Sequence, residues 1–122
     1  MLTVTISDQL GNQMFAYASV KTIAQNRGET FGFVRAENNL INDTDKQYGN
    51  EIHTIFPNTK GEFLTELPTA ITHTWEEPPL RERTANYQPS ALTVPENTLM
   101  KGHFISCRYF WKNRSQVQKW FS

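Results

Sequence analysis

A six-residue run, Leu10-Gly11-Asn12-Gln13-Met14-Phe15, separates a strand-like stretch, Leu2 to Ser7, from a helix-like stretch that reaches Arg27. At such a junction the helix offers backbone N–H groups with no intrahelical acceptor, together with a partial positive charge. Glycine removes the side chain that would hold a ligand away from that backbone. A phosphate is the ligand this arrangement suits best. Taken alone, Gly11-Asn12 reads more simply as a tight turn with a helix cap, Asn12 being the expected N-cap.

Other residues of chemical type are scattered. Glu76, Glu77 and Glu82 with Arg81 have the composition of an acid–base cluster, but Pro78-Pro79 beside them favours a solvated loop. His53, His73 and His103 lack metal-ligand spacing. Arg108-Tyr109-Phe110-Trp111-Lys112-Asn113-Arg114 alternates basic and aromatic residues, a composition that stacks on single-stranded bases. It supports a rival reading, a small non-catalytic binding module for single-stranded nucleic acid or a protein partner. Phe110, Trp111 and Trp120 are more simply core residues.

The elements that must position these residues follow from patterning. Leu2-Thr3-Val4-Thr5-Ile6 is short and β-branched, as a buried parallel strand is. Ala16, Val20, Ile23 and Ala24 recur at helical spacing, and Gly28 supplies a left-handed stop. Thr30 to Val34 reads as a second strand, so the start is one β-α-β unit. Arg35 to Asp45 is a polar loop. Ile52 to Phe56 and Phe63 to Leu67 are short strands or helical turns. Five of the six prolines lie between Pro68 and Pro95 and forbid long regular elements. Leu99 to Phe104 returns as a strand. Asn113 and Gln116 form a capping-box pair for a terminal helix of about two turns.

Composition sets bounds. With 12 basic and 12 acidic residues the chain has no global field to draw nucleic acid or anionic lipid. One cysteine, Cys107, excludes an intrachain disulfide and a multi-cysteine zinc site, and suits a reducing compartment. No run has the length of a transmembrane helix, and Met1 leads directly into a strand rather than a secretory signal.

The hexapeptide with its flanks, Thr3-Val4-Thr5-Ile6 before it and Ala16-Tyr17-Ala18 with Lys21 and Ala24 after it, resembles the N-terminus of the α-1,2-fucosyltransferase family. There a strand leads through Gly-Gly-Leu-Gly-Asn-Gln-Met-Phe into a helix. Leu10 to Phe15 match residue for residue, whereas Asp8 and Gln9 stand where the family has Gly-Gly or Gly-Arg. Lys101-Gly102-His103-Phe104-Ile105-Ser106, followed by Arg108-Tyr109-Phe110, is similar to the family's Gly-Tyr-Phe-Gln-Ser and Lys-Tyr-Phe. His103 replaces its tyrosine and Ile105 its glutamine. The family's His-x-Arg-x-Gly-Asp-Tyr motif, whose arginine is thought to hold the donor diphosphate, is not among these residues.

The resemblance implies an α/β, Rossmann-like partial domain of a GT-B-type glycosyltransferase with a proline-rich irregular middle. Residues 1–122 are then one N-terminal domain, whose donor-binding half is supplied by missing sequence or a partner chain. The implied reaction moves L-fucose from GDP-fucose to the 2-hydroxyl of a galactose-terminated glycan, with inversion and without a required metal or other cofactor. Leu10, Gly11, Asn12 and Gln13 are the implied donor-binding residues, and His103 is a candidate ligand contact. No catalytic base is assigned. The implied setting is the cytoplasm, free or peripheral at the inner membrane, with no nucleic-acid partner and no transmembrane segment.

Overall fold

A computed structural model describes residues 1–36 and 51–122. Strands β1 (Leu2–Ile6), β2 (Phe31–Arg35), β3 (His73–Glu76) and β4 (Thr98–Lys101) form one sheet in the order β2-β1-β4-β3. Every neighbouring pair is parallel: Leu2 is in register with Phe31 on one side and with Thr98 on the other. The chain is therefore of the α/β type, with β1 and β4 at the centre. Of the expected polar loop Arg35 to Asp45, residues 37–45 lie outside the described residues.

Helix α1 (Leu10–Asn26) connects β1 to β2. Its start differs from the sequence expectation. Gln9 is the N-cap, no side chain caps the first turn, and Asn12 sits two residues inside the helix. Its end agrees. Gly28 adopts φ +71°, its N–H donates to Gln25 O at 3.0 Å, and the Glu29 N–H donates to Ala24 O at 2.9 Å, which together satisfy two carbonyls of the last turn.

The expected face, Ala16, Val20, Ile23 and Ala24, lies in the main core cluster with Leu2, Val4, Ile6 and Met100. Burial extends further, unbroken from Ala16 to Ala24, because α1 is covered from both sides. The sheet covers one side. On the other, Tyr17 meets Trp120 and Phe121, and Phe15 meets Phe110 at 6.0 Å. On a helix buried all round, a long charged or phenolic side chain is costly unless it is paired. Lys21 Nζ accordingly donates to the Tyr17 hydroxyl and to Glu62 Oε1, both at 3.0 Å, while Tyr17 donates to Glu62. Burial first, then the Glu62 bond, pushes the Tyr17 phenol far above its ordinary pKa, so it remains a neutral donor.

The region after β2 is built of short pieces. Helix α2 (Ile52–Ile55) and a 3-10 segment, Pro57–Glu62, resolve the first ambiguity as helical turns. Phe63 forms a single parallel bridge with Phe33, and its ring stacks on His53 at 3.8 Å. Burial, the leading effect, pushes the His53 imidazole below its usual pKa and favours its neutral form. The proline-rich stretch contains only β3 and 3-10 turns. β4 ends at Lys101, earlier than Phe104, because the chain turns out of the sheet and Phe104 adopts φ +55° with a fully buried ring. Helix α3 (Arg114–Trp120) has Asn113 as its N-cap, but the expected capping box is not made: the Asn113 amide donates to Asn26 Oδ1 at 3.2 Å instead.

Gly28→Ala isolates the role of the α1 stop, since a Cβ there meets nothing within 4 Å and only the left-handed backbone resists it. The expected cost is about 1–2 kcal/mol, a fall in melting temperature of roughly 4 °C or more. An unchanged thermal melt would contradict this end of the helix.

Candidate functional site

Two segments meet at the carboxyl ends of the central strands. In an open parallel sheet this edge forms a crevice where the connections from two adjacent strands diverge, the usual place for a ligand in α/β proteins. Here α1 leads from β1 towards β2, while the chain leaving β4 runs through Gly102 to Ser106 into the 3-10 turn Cys107–Tyr109. Leu10–Phe15 therefore lies on the helix that follows β1, and Lys101–Ser106 begins at the end of the neighbouring strand β4.

The turn before the first segment touches the second. His103 Nε2 lies 2.5 Å from Asp8 Oδ2, with both side chains about half exposed. Each partner sits beside strained backbone. Asp8 itself has φ +63°, a left-handed conformation that glycine adopts at no steric cost, and Phe104 follows His103 at φ +55°. For a bulky aromatic that conformation is uncommon and persists only where packing enforces it. The Phe104 ring is fully buried against Trp75 and Tyr109.

The residues Leu10, Gly11, Asn12 and Gln13 form the first turn of α1 rather than a loop before it. Their environments diverge. Gly11 is exposed, with open space where a Cβ would stand, so no contact within the described chain requires glycine there. Asn12 is half-buried and its side chain makes no hydrogen bond to a described residue. Gln13 is buried and fully used: its Nε2 donates to Asp8 O at 3.0 Å, and its Oε1 accepts the Ile52 N–H at 2.9 Å. Gln13 thus fixes both the strained Asp8 turn and the start of α2. The unpaired N–H groups of the first turn and the Asn12 amide remain the donors available to an anion.

Of the three carboxylates, Glu77 departs from the solvated-loop reading, and Glu76 ends β3 rather than lying in a loop. Glu76 and Glu82 are exposed with Arg81, but Glu77 is buried. Its Oε1 accepts the His103 N–H at 3.1 Å and its Oε2 faces Arg83 Nη1 at 3.4 Å. Local sequence carries no sign of this, because burial of Glu77 depends on Gly102: a Cβ there would stand 2.6 Å from Glu77 Cβ.

The basic-aromatic segment offers no flat stacking face. Tyr109 is 4% exposed, its hydroxyl accepts the Gln88 N–H at 2.7 Å, and Phe110 packs inward. Trp111, expected in the core, is instead 56% exposed under Arg114, and Arg108 lies over Tyr87. Among the described residues no group of three metal-ligating side chains gathers, and no helix is long and apolar enough to cross a membrane. Compared with family models, curated proteins and solved structures, the chain matches none.

Substitution separates the structural member of the turn from the exposed ones. Gln13→Ala leaves the Ile52 N–H and the Asp8 carbonyl without their partner and should cost at least ~2 kcal/mol. Asn12→Ala, with no cap to lose, should stay within about 0.5 kcal/mol. Urea unfolding measures both. Equal losses would mean that Asn12 also holds the fold.

Proposed function

We propose that this chain is part of a GT-B-type glycosyltransferase resembling the α-1,2-fucosyltransferases, with the first turn of α1 facing the diphosphate of GDP-fucose. One observation carries the reading. The two segments that resemble the family are separated by most of the chain, yet they follow the carboxyl ends of adjacent parallel strands, and Asp8, two residues before the first, meets His103 of the second. Segments that share one site must converge, and resemblance by accident gives no reason for them to do so.

Three details agree with it. Asp8 occupies a left-handed backbone position that glycine fills in the resembling enzymes. The Asp8 carboxylate is engaged by His103 Nε2 at 2.5 Å, so it does not stand unpartnered beside the first turn of α1. Gly11 leaves open space above the helix N-terminus, where a phosphate oxygen could approach the N–H groups.

Transfer of fucose breaks the bond from its anomeric carbon to the diphosphate as an acceptor hydroxyl attacks from the opposite face and loses its proton. The leaving diphosphate gathers negative charge, and preorganised N–H donors lower the barrier where that charge develops. The α1 terminus and the Asn12 amide supply such donors. The arginine of His-x-Arg-x-Gly-Asp-Tyr does not occur among these 122 residues, so the principal cation must come from elsewhere.

Adding GDP-fucose to isotope-labelled protein should shift the amide resonances of Leu10, Gly11 and Asn12. Asn12→Ala should weaken that binding by roughly tenfold or more, the loss of one hydrogen bond to a charged group, while the melting temperature without ligand holds. The purified chain should transfer no fucose to galactosides above background. Donor affinity that is indifferent to Asn12→Ala, or shifts remote from α1, would refute the donor assignment.

A further inference from the structure

A hollow of about 540 Å³ lies on the face of the sheet away from α1. Alternation along the strands sends Leu2, Val4, Phe33 and Met100 into the core with α1, and Thr5, Val34, Leu99 and Lys101 to the other face. Val34 and Leu99 are accordingly buried yet stand outside that core. The volume falls in the range of small-molecule sites. Its position, at the carboxyl ends of the strands, is where open α/β sheets take ligands.

One wall is apolar. A Cβ on Gly32 would stand 2.7 Å from Leu64 Cδ1, so the missing side chain lets Leu64 lie close over β2, and Leu67, 41% exposed, follows it along the rim. The opposite side is charged. Glu76 and Lys101 stand in register on β3 and β4 and both line the hollow, yet they do not close into an ion pair, and neither side chain has a partner among the described residues. Opposite charges set directly across a ladder ordinarily attract. Arg35, the other lining cation, is already spent, because its Nε and Nη2 donate to the two carboxylate oxygens of Glu51 at 2.6 Å each.

The unspent charges narrow the ligand class. A bare anion meets Glu66 and Glu76 as well as Lys101, and a bare cation meets Lys101 as well as those two carboxylates. A molecule bearing both charges gains from each. In-register residues on neighbouring strands stand about 4.8 Å apart, so the two charges of the ligand must also be close neighbours. An ammonium and a carboxylate on one carbon meet that demand. Thr5, one residue past the pairing of Val4 with Met100 and so beside Lys101, adds a hydroxyl donor for the carboxylate.

We infer that this hollow binds an α-amino acid with an apolar side chain: Lys101 and Thr5 take its carboxylate, Glu76 takes its ammonium, and Leu64, Leu67 and Leu99 cover the side chain. The site shares no lining residue with the first turn of α1 and does not depend on the glycosyltransferase reading.

Titration of the isotope-labelled full chain with L-leucine tests it. Amide shifts are expected at Thr5, Val34, Leu67, Glu76, Leu99 and Lys101, with Leu10 to Asn12 unmoved. L-Leucinamide lacks the carboxylate and 4-methylpentanoate lacks the ammonium, so each should bind about tenfold or more weakly than leucine, the loss of one hydrogen bond to a charged group. Lys101→Met removes the charge but keeps the stem, and should erase the preference for leucine over leucinamide. Leu67→Asp changes an exposed side chain and should weaken leucine binding with the melting temperature unchanged, so it carries the test if Lys101→Met does not fold. No shift up to the solubility of leucine, equal binding of either analogue, or affinity indifferent to Leu67→Asp overturns the inference. The donor reading fails separately, if GDP-fucose leaves Leu10 to Asn12 unmoved.

Discussion

Closing a loop of roughly a hundred residues costs about 4–5 kcal/mol in chain entropy, and the pairing of β4 with β1 closes one. Leu2, Val4, Ile6 and Met100, all fully buried, repay it, since each such side chain contributes about 1.5–3 kcal/mol on leaving water. The entry to β4 is also fixed locally. Asn97 takes φ +61°, its Oδ1 accepts from the Met1 nitrogen at 3.0 Å, and the Thr98 hydroxyl donates to Pro95 O at 2.6 Å. Once β4 is seated, the loops at the other end of both strands must meet, and the contact between Asp8 and His103 follows.

Burial of α1 on both sides makes that meeting point rigid. The helix is clamped between the sheet and the aromatic C-terminal segment, and its Tyr17 and Lys21 are both held by Glu62. Gln13 then locks the Asp8 turn to the start of α2. Donors held by packing rather than by a ligand need little reorganisation on binding, the property an anion site requires. The same clamp accounts for the fate of the basic-aromatic segment, whose Tyr109 and Phe110 are spent on packing and leave Trp111 alone at the surface.

Local chemistry made the β1-α1-β2 unit legible: a β-branched run, small residues at helical spacing, and Gly28 at the stop. Asn12 misled because cap preference names a residue type, whereas the turn geometry is set by Asp8 and by Gln13 reaching back to it. Asn113 is the N-cap of α3, yet its amide found Asn26, a partner from a distant helix. β3 was hidden by the prolines that flank it, Pro68 and Pro78-Pro79, and by the polar sequence of an edge strand, mostly exposed. The burial of Glu77 was least legible. Glu77 looks like its neighbours Glu76 and Glu82 in sequence, and only Gly102, brought alongside by the pairing of β3 with β4, allows it to be buried.

The account rests on β4 lying parallel against β1. Nuclear Overhauser contacts between backbone protons of the two strands report this most directly. The account predicts cross-strand contacts pairing Leu2 with Thr98 and Val4 with Met100, and side-chain contacts between Asp8 and His103. Contacts that set β1 beside β3 instead, or run β4 antiparallel, would separate the two segments and dissolve the site.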